Sequence, residues 1–291
     1  MRLLSASALS WKAVAAAQLL LVPAVVLLLL APRRQARRAR KTAMAVDAAR
    51  RLEAAVQKSV AEAAVGTLHA PRSVDRIVAW DLHEVVFHYD LVEALRFLHH
   101  SMRKVHFLRL ALCCLHPGII LSLIALSGES EVFERIVIRL GERHALFKPL
   151  VPDALRLANM QRPDEGTVQV MEELAKAGVR QFVLSNIGAT VYPGLVGANE
   201  RIFRNMIGHR VSQPEDDYLA KPDLEFYSSF AAEQKLDAAM ADGAVVVFVD
   251  DKAANVCASY DAGMVGIHFT SPSQLRKDLV RLGFLPQADN A

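Results

Sequence analysis

Arg76-Ile77-Val78-Ala79-Trp80-Asp81-Leu82-His83-Glu84-Val85-Val86-Phe87 is the stretch on which the reading of this chain turns. Ile77, Val78 and Trp80 suit a pleated, buried surface and predict a short strand over Arg76–Trp80. The strand runs straight into a carboxylate. A buried carboxylate is costly unless it is paired or bound to a metal, so Asp81 needs partners from elsewhere in the chain.

Moving outward, further strands are predicted at Gln181–Leu184, Ile207–Val211, Ala244–Val249 and Met264–Phe269. Helical patterns separate them: Thr167–Ala177 closed by Gly178, Leu224–Gln234, and Lys252–Ala262 closed by Gly263. This alternation predicts an α/β fold, a Rossmann-like parallel sheet with helices on both faces. Ligands of such sheets bind beyond the carboxyl ends of the strands. Three predicted strands end there in polar residues: Asp81, Ser185-Asn186 and Asp250-Asp251. If the strands are central, the acids converge and repel, and a hard cation such as Mg²⁺ relieves the repulsion. The Ser185 hydroxyl and nearby backbone N–H groups at a helix start suit a phosphate. Lys221, in Ala220-Lys221-Pro222-Asp223, adds a point charge suited to phosphoryl oxygens.

Roughly a hundred residues separate the first two strands, far more than a crossover needs. Asp90 to Met160 reads as almost wholly helical, predicting a cap (90–160) inserted into a core of 71–89 and 161–291. Val105–Leu126 is apolar enough to suggest a second membrane span. His106, Arg109, His116 and Pro117 interrupt it, so the expectation is a buried pair of cap helices turning at Pro117-Gly118. The histidines His88, His99, His100, His106 and His116 are scattered and read as surface or core residues rather than a metal cluster.

Ala13–Pro32 contains twenty residues without a charge, about the length that spans a bilayer as a helix. Arg33, Arg34, Arg37, Arg38, Arg40 and Lys41 follow with no acid among them. Residues 1–41 are therefore expected to form an N-terminal transmembrane helix with a basic flank, single-pass, leaving the C-terminal domain cytosolic. A cleaved signal peptide fits poorly with Ala31-Pro32-Arg33, and a mitochondrial presequence with so long an uncharged run. Thr42 to Val65 predicts an alanine-rich helix with Asp47 spaced to meet Arg51, and 42–70 is expected to be a stalk. The net charge of +3 owes six positive charges to the flank, leaving the remainder at −3. That balance argues against nucleic acid as a partner. Cys113, Cys114 and Cys257 form no CxxC pair, so neither a zinc site nor a disulfide framework is expected. Nothing in the sequence signals an oligomeric state.

The order of the polar motifs resembles the haloacid-dehalogenase (HAD) superfamily over about Arg76 to Phe284. Asp81 resembles its nucleophile motif, Ser185 its second motif, Lys221 its third, and Asp250-Asp251 its acidic fourth, with Asn255 and Ala262-Gly263 following. The helical insert resembles the family's C1-type cap. The resemblance implies that Asp81 attacks a small phosphomonoester, forming an aspartyl-phosphate that water hydrolyses. It implies Mg²⁺ held by Asp81, the His83 backbone carbonyl and, directly or through water, Asp250, with Asp251 orienting its water shell. It also implies that Ser185, the Asn186 amide and Lys221 hold the phosphoryl oxygens.

One position departs. Phosphatases of the family usually carry a second aspartate, a general acid then base, where this chain has His83. Histidine, with an unperturbed pKa of about 6.5, is a competent acid–base group. Glu84 also replaces a commonly small residue. These two departures keep a second expectation open, a catalytically weak, membrane-tethered binding or scaffold protein. A metal-free dehalogenase-type enzyme is the third, and the paired Asp250-Asp251 argues against it.

Overall fold

The computed structural model describes residues 34–66 and 75–287. In chain order its elements are α1 (Arg34–Gly66), β1 (Arg76–Trp80), β2 (Phe87–Tyr89), α2 (Leu91–Arg96), α3 (Lys104–Leu115), α4 (Pro117–Glu129), α5 (Phe133–Arg143) and α6 (Val151–Ala158). Next come β3 (Gln161–Pro163), α7 (Glu165–Lys176), β4 (Arg180–Gly188), α8 (Tyr192–Ala198), α9 (Glu200–Phe203) and β5 (Met206–Ser212). The last are α10 (Leu224–Glu233), α11 (Leu236–Ala241), β6 (Val245–Asp250), α12 (Ala253–Asp261), β7 (Val265–His268) and α13 (Pro272–Arg281).

Five parallel strands lie in the order β5-β4-β1-β6-β7, with β1 in the centre. Side chains alternate between two cores, as a strand's two-residue period requires. Ile77 and Ala79 pack with Phe182, Leu184, Phe230 and Phe248 on one face. Val78 and Trp80 pack with Val183, Val249, Leu174 and Leu279 on the other. Burial on both faces explains the near-continuous apolar runs of these strands. Trp80 pairs with Val183 on one side and Val249 on the other. Asp81 and Asp250 are therefore level at one rim, with Ser185 one residue beyond.

The expected stalk instead packs along one side of the core. Ala48, Leu52 and Val56 lie four residues apart, so α1 carries one apolar stripe, and all three are buried. α1 packs against α12 and β7. Its Met44 carbonyl lies by the Cys257 thiol and Arg51 reaches Asp261 at 2.7 Å, so the two helices run in the same direction. α1 therefore begins at the rim end of the sheet. The expected membrane segment, 13–32, lies outside the described residues.

β2 and β3 pair antiparallel, a small sheet too short to announce itself by periodicity, and α2 to α6 lie between them. These helices enclose their own core of Cys113, Ile119, Leu126, Ile136, Leu140 and Leu150. α3 and α4 are separate helices bent by 79°, with His116 capping α4 and Pro117 at its first turn. The expectation that this pair is buried is corrected. Leu108, Leu112, Leu115 and Leu121 are 51, 48, 69 and 66 % exposed. The helices are apolar nearly all round, but among the described residues only one stripe of each finds a partner. No single described helix is long and apolar enough to cross a membrane, although the bent pair passes that test together.

Candidate active site

β1 delivers Asp81 to the rim, where its N–H donates to the Val249 carbonyl at 2.9 Å. The chain then turns tightly. The Leu82 carbonyl accepts from both Val86 and Phe87, and Glu84 adopts φ +62°, a left-handed conformation disfavoured for a residue with a Cβ. That turn presents His83 to the cavity above the rim.

Asp81 Oδ1 accepts from Ser185 Oγ at 2.8 Å and lies 2.9 Å from Lys221 Nζ. Lys221 also donates to Asp250 Oδ2 at 2.7 Å and to the Leu184 carbonyl at 2.8 Å. An ammonium has three protons, and these partners use all of them. Burial works against the lysine's charge, but Asp250 and Asp81 outweigh it and hold its pKa above the usual range. Asp250 is fully buried. Its Oδ1 accepts from the Lys252 N–H at 2.7 Å, and Asn255 Nδ2 reaches both its oxygens at 3.1 and 2.9 Å. Burial pushes the Asp250 carboxyl up to about 7, against the pull of Lys221. Burial and the neighbouring Asp81 likewise raise Asp251.

Carboxylate oxygens of Asp81, Asp250 and Asp251 lie within 4.8 Å of one another. Three acids face one buried ammonium, and the donors are hard oxygens, the set Mg²⁺ prefers. Asn255 Oδ1 is buried beside them without a hydrogen-bond partner among the described residues. Charge and orphaned acceptor together fit a hydrated divalent cation.

The geometry redistributes the expected roles. Asp81 and Asp251 line the cavity, while Asp250 sits behind them with both oxygens taken by protein donors. Asp251 is thus the one of the pair that lines the cavity. Asn186 turns its side chain away: its Oδ1 accepts from Lys221 N at 2.8 Å, and its Nδ2 donates to the Lys221 carbonyl at 2.9 Å. Any contact of Asn186 with a phosphate falls to its backbone N–H. Beyond the Ser185–Gly188 exit, the turn that leads into α8 is occupied by the cap. Glu134 of α5 accepts from the Thr190 N–H at 3.0 Å, the Val191 N–H at 3.2 Å, the Thr190 hydroxyl at 2.7 Å and the Tyr218 hydroxyl at 3.2 Å. A Cβ on Gly188 would collide with this glutamate, which explains the glycine. Glu134 gave no signal in the sequence, being one acid among several in a helix. Lys252 was equally silent, and it reaches Glu131 of the cap at 2.8 Å.

No family model matches the chain. Over 109 residues it is 33% identical to the sesquiterpene phosphatase astK of Aspergillus oryzae. That match covers 38% of this chain and 52% of the relative, so the chain spans about half the relative's length. Among solved structures it is similar to the HAD-hydrolase YfnB of Bacillus subtilis, whose structure is bound to magnesium (14% identity, 72% of this chain and 100% of that one, TM-score 0.47). It is similar as well to the L-2-haloacid dehalogenase of Xanthobacter autotrophicus (17%, 73% and 85%, TM-score 0.44). The chain gathers the four motifs, in order, at one rim, and in this it resembles the HAD pattern. Its departure from the HAD-like pattern, His83, has a side chain 57% exposed, with Nδ1 3.4 Å from Gln161 Oε1 and Nε2 3.4 Å from Glu84 Oε1.

Proposed function

We propose that this HAD-like protein is an Mg²⁺-dependent phosphohydrolase that acts on a small phosphomonoester through an aspartyl-phosphate. The observation that carries this reading is Asp81, a nearly buried carboxylate held by Ser185 and Lys221 at the floor of a cavity. The partial likeness to a phosphatase supports it.

Both donors hold Asp81 Oδ1, so Oδ2 is the oxygen available to attack phosphorus. As the Asp81–phosphorus bond forms, the ester oxygen leaves and takes a proton from the His83 imidazolium. Water then attacks the phosphoryl group, His83 accepts its proton, and Asp81 is released. Ser185 and Lys221 lie close enough to Asp81 to share their protons with the phosphoryl oxygens as negative charge moves onto them. Bound by Asp81, Asp251 and the His83 carbonyl, Mg²⁺ would shield the attacking carboxylate from the anionic substrate. Asp250 and Asn255 keep Lys221 and the fourth-motif loop in place.

The test is phosphate release by the full chain from a panel of phosphomonoesters, with and without Mg²⁺. Metal-dependent release that falls to background in Asp81→Asn is the expected outcome, and wild-type activity surviving that substitution would sink it. A second reading, a catalytically weak binding or scaffold protein, is favoured by the engagement of His83 with Gln161 and Glu84. Silence in the wild type with a gain in His83→Asp would establish that reading instead.

A single-pass anchor at 13–32 with the domain in the cytosol belongs to the same proposal. Because α1 starts at the rim end of the sheet, such an anchor would leave the domain on its active-site side.

A further inference from the structure

The cavity above Asp81 has a volume of about 440 Å³, large enough for an organic group well beyond a bare phosphate. Its floor is polar, and its roof is apolar save for one hydroxyl. The roof comes from Tyr89 of β2 and from Phe133, Ala154, Leu157 and Ala158 of the cap. Phe133 and Tyr89 both line it and are 49 and 42% exposed overall, leaving apolar surface for a ligand to cover.

Apart from the Tyr89 hydroxyl, the polar side chains around the cavity on the cap side are already committed to protein partners. Glu131 is paired with Lys252. Glu134 accepts from Thr190, Val191 and Tyr218. Gln161 donates to the Ala158 carbonyl at 2.7 Å and faces His83 through its Oε1. A sugar or polyol phosphate would lose the water around its hydroxyls and find few free partners, a costly exchange. A hydrocarbon loses nothing by the same transfer.

We infer that the substrate is a monophosphate ester of a hydrocarbon alcohol, its phosphate on the Asp81 rim and its chain against Phe133, Leu157 and Ala158. This inference rests on the rim being a phosphate site. Each methylene buried against the roof should tighten binding about fourfold until the cavity is full.

The probe is equilibrium binding of non-hydrolysable ethyl, butyl, hexyl and octyl phosphonates to the full chain in Mg²⁺, beside inorganic phosphate and glycerol phosphonate. Affinity should climb along the alkyl series and stay low for the glycerol compound. Phe133→Gln and Leu157→Gln should flatten the climb, whereas Leu112→Gln, on the exposed outer face of α3, should leave it intact. Equal affinities across the alkyl series, or tighter binding of glycerol phosphonate, with inorganic phosphate still bound, would overturn the substrate class alone. Failure of every probe, inorganic phosphate included, would overturn the phosphate site and this inference with it. A climbing series in a protein that never releases phosphate would uphold the class and remove only the catalytic reading.

Discussion

Lys221 lies beneath the site with its protons on Asp81, Asp250 and the Leu184 carbonyl. Without it, two buried carboxylates would face each other uncompensated. Lys221→Met should therefore cost about 3–5 kcal/mol of stability, the usual penalty for stranding a buried charge. The measurement is urea unfolding, with a lower midpoint at an unchanged slope. Adding Asp250→Asn should return part of the loss, because it removes one stranded charge. A cost below about 1 kcal/mol would mean that the lysine does not neutralise the cluster. The Lys-Pro-Asp stretch marks Lys221 as a functional candidate in the sequence, but its partners lie 29, 37 and 140 positions away in the chain. Those distances are why its hold on Asp81 was not legible.

The junction between cap and core depends on β2 and the start of α7. Asp164 caps α7 by accepting from the Thr167 N–H at 2.9 Å, and it lies 3.1 Å from His88 Nε2 on β2. His88 Nδ1 lies 3.2 Å from Glu84. Burial disfavours the imidazolium, but Asp164 and Glu84 outweigh it and raise the His88 pKa above 6.5. Burial opposes the Asp164 charge too, and the Thr167 N–H with His88 lowers its pKa nonetheless. A raised histidine pKa stabilises fully below the unfolded value and loses that contribution as pH rises through the folded one. Stability should thus fall as pH rises from about 6.5 through the raised His88 pKa, by less than about 1 kcal/mol for so partly exposed a pair. His88→Gln should remove that fall in unfolding free energy against pH, and an unchanged profile would show that another group causes it. Among the elements, the five core strands were readable because short β-branched runs alternating with helical patterns are a local signal. β2 and β3 were not, since three residues carry no usable period.

Across the whole molecule, the least expected feature is α1, read as a stalk and found packed onto the core. Leu52→Ala should cost about 2–5 kcal/mol in chemical denaturation, as for other buried leucines. A loss under about 1 kcal/mol would return α1 to the role of a spacer. Taken alone, the sequence determined the parallel α/β architecture, the helical insert, and the residues that meet at the rim. Each of those is encoded in consecutive residues, by the period of apolar side chains and by charge placed at a strand's end. Tertiary structure alone decided that Asp251 rather than Asp250 faces the cavity, that Glu134 occupies the turn into α8, and that α3 and α4 leave apolar surface uncovered among the described residues. These outcomes depend on which groups compete for the same donors or the same packing surface once the chain has closed, and such competition leaves no trace in local order.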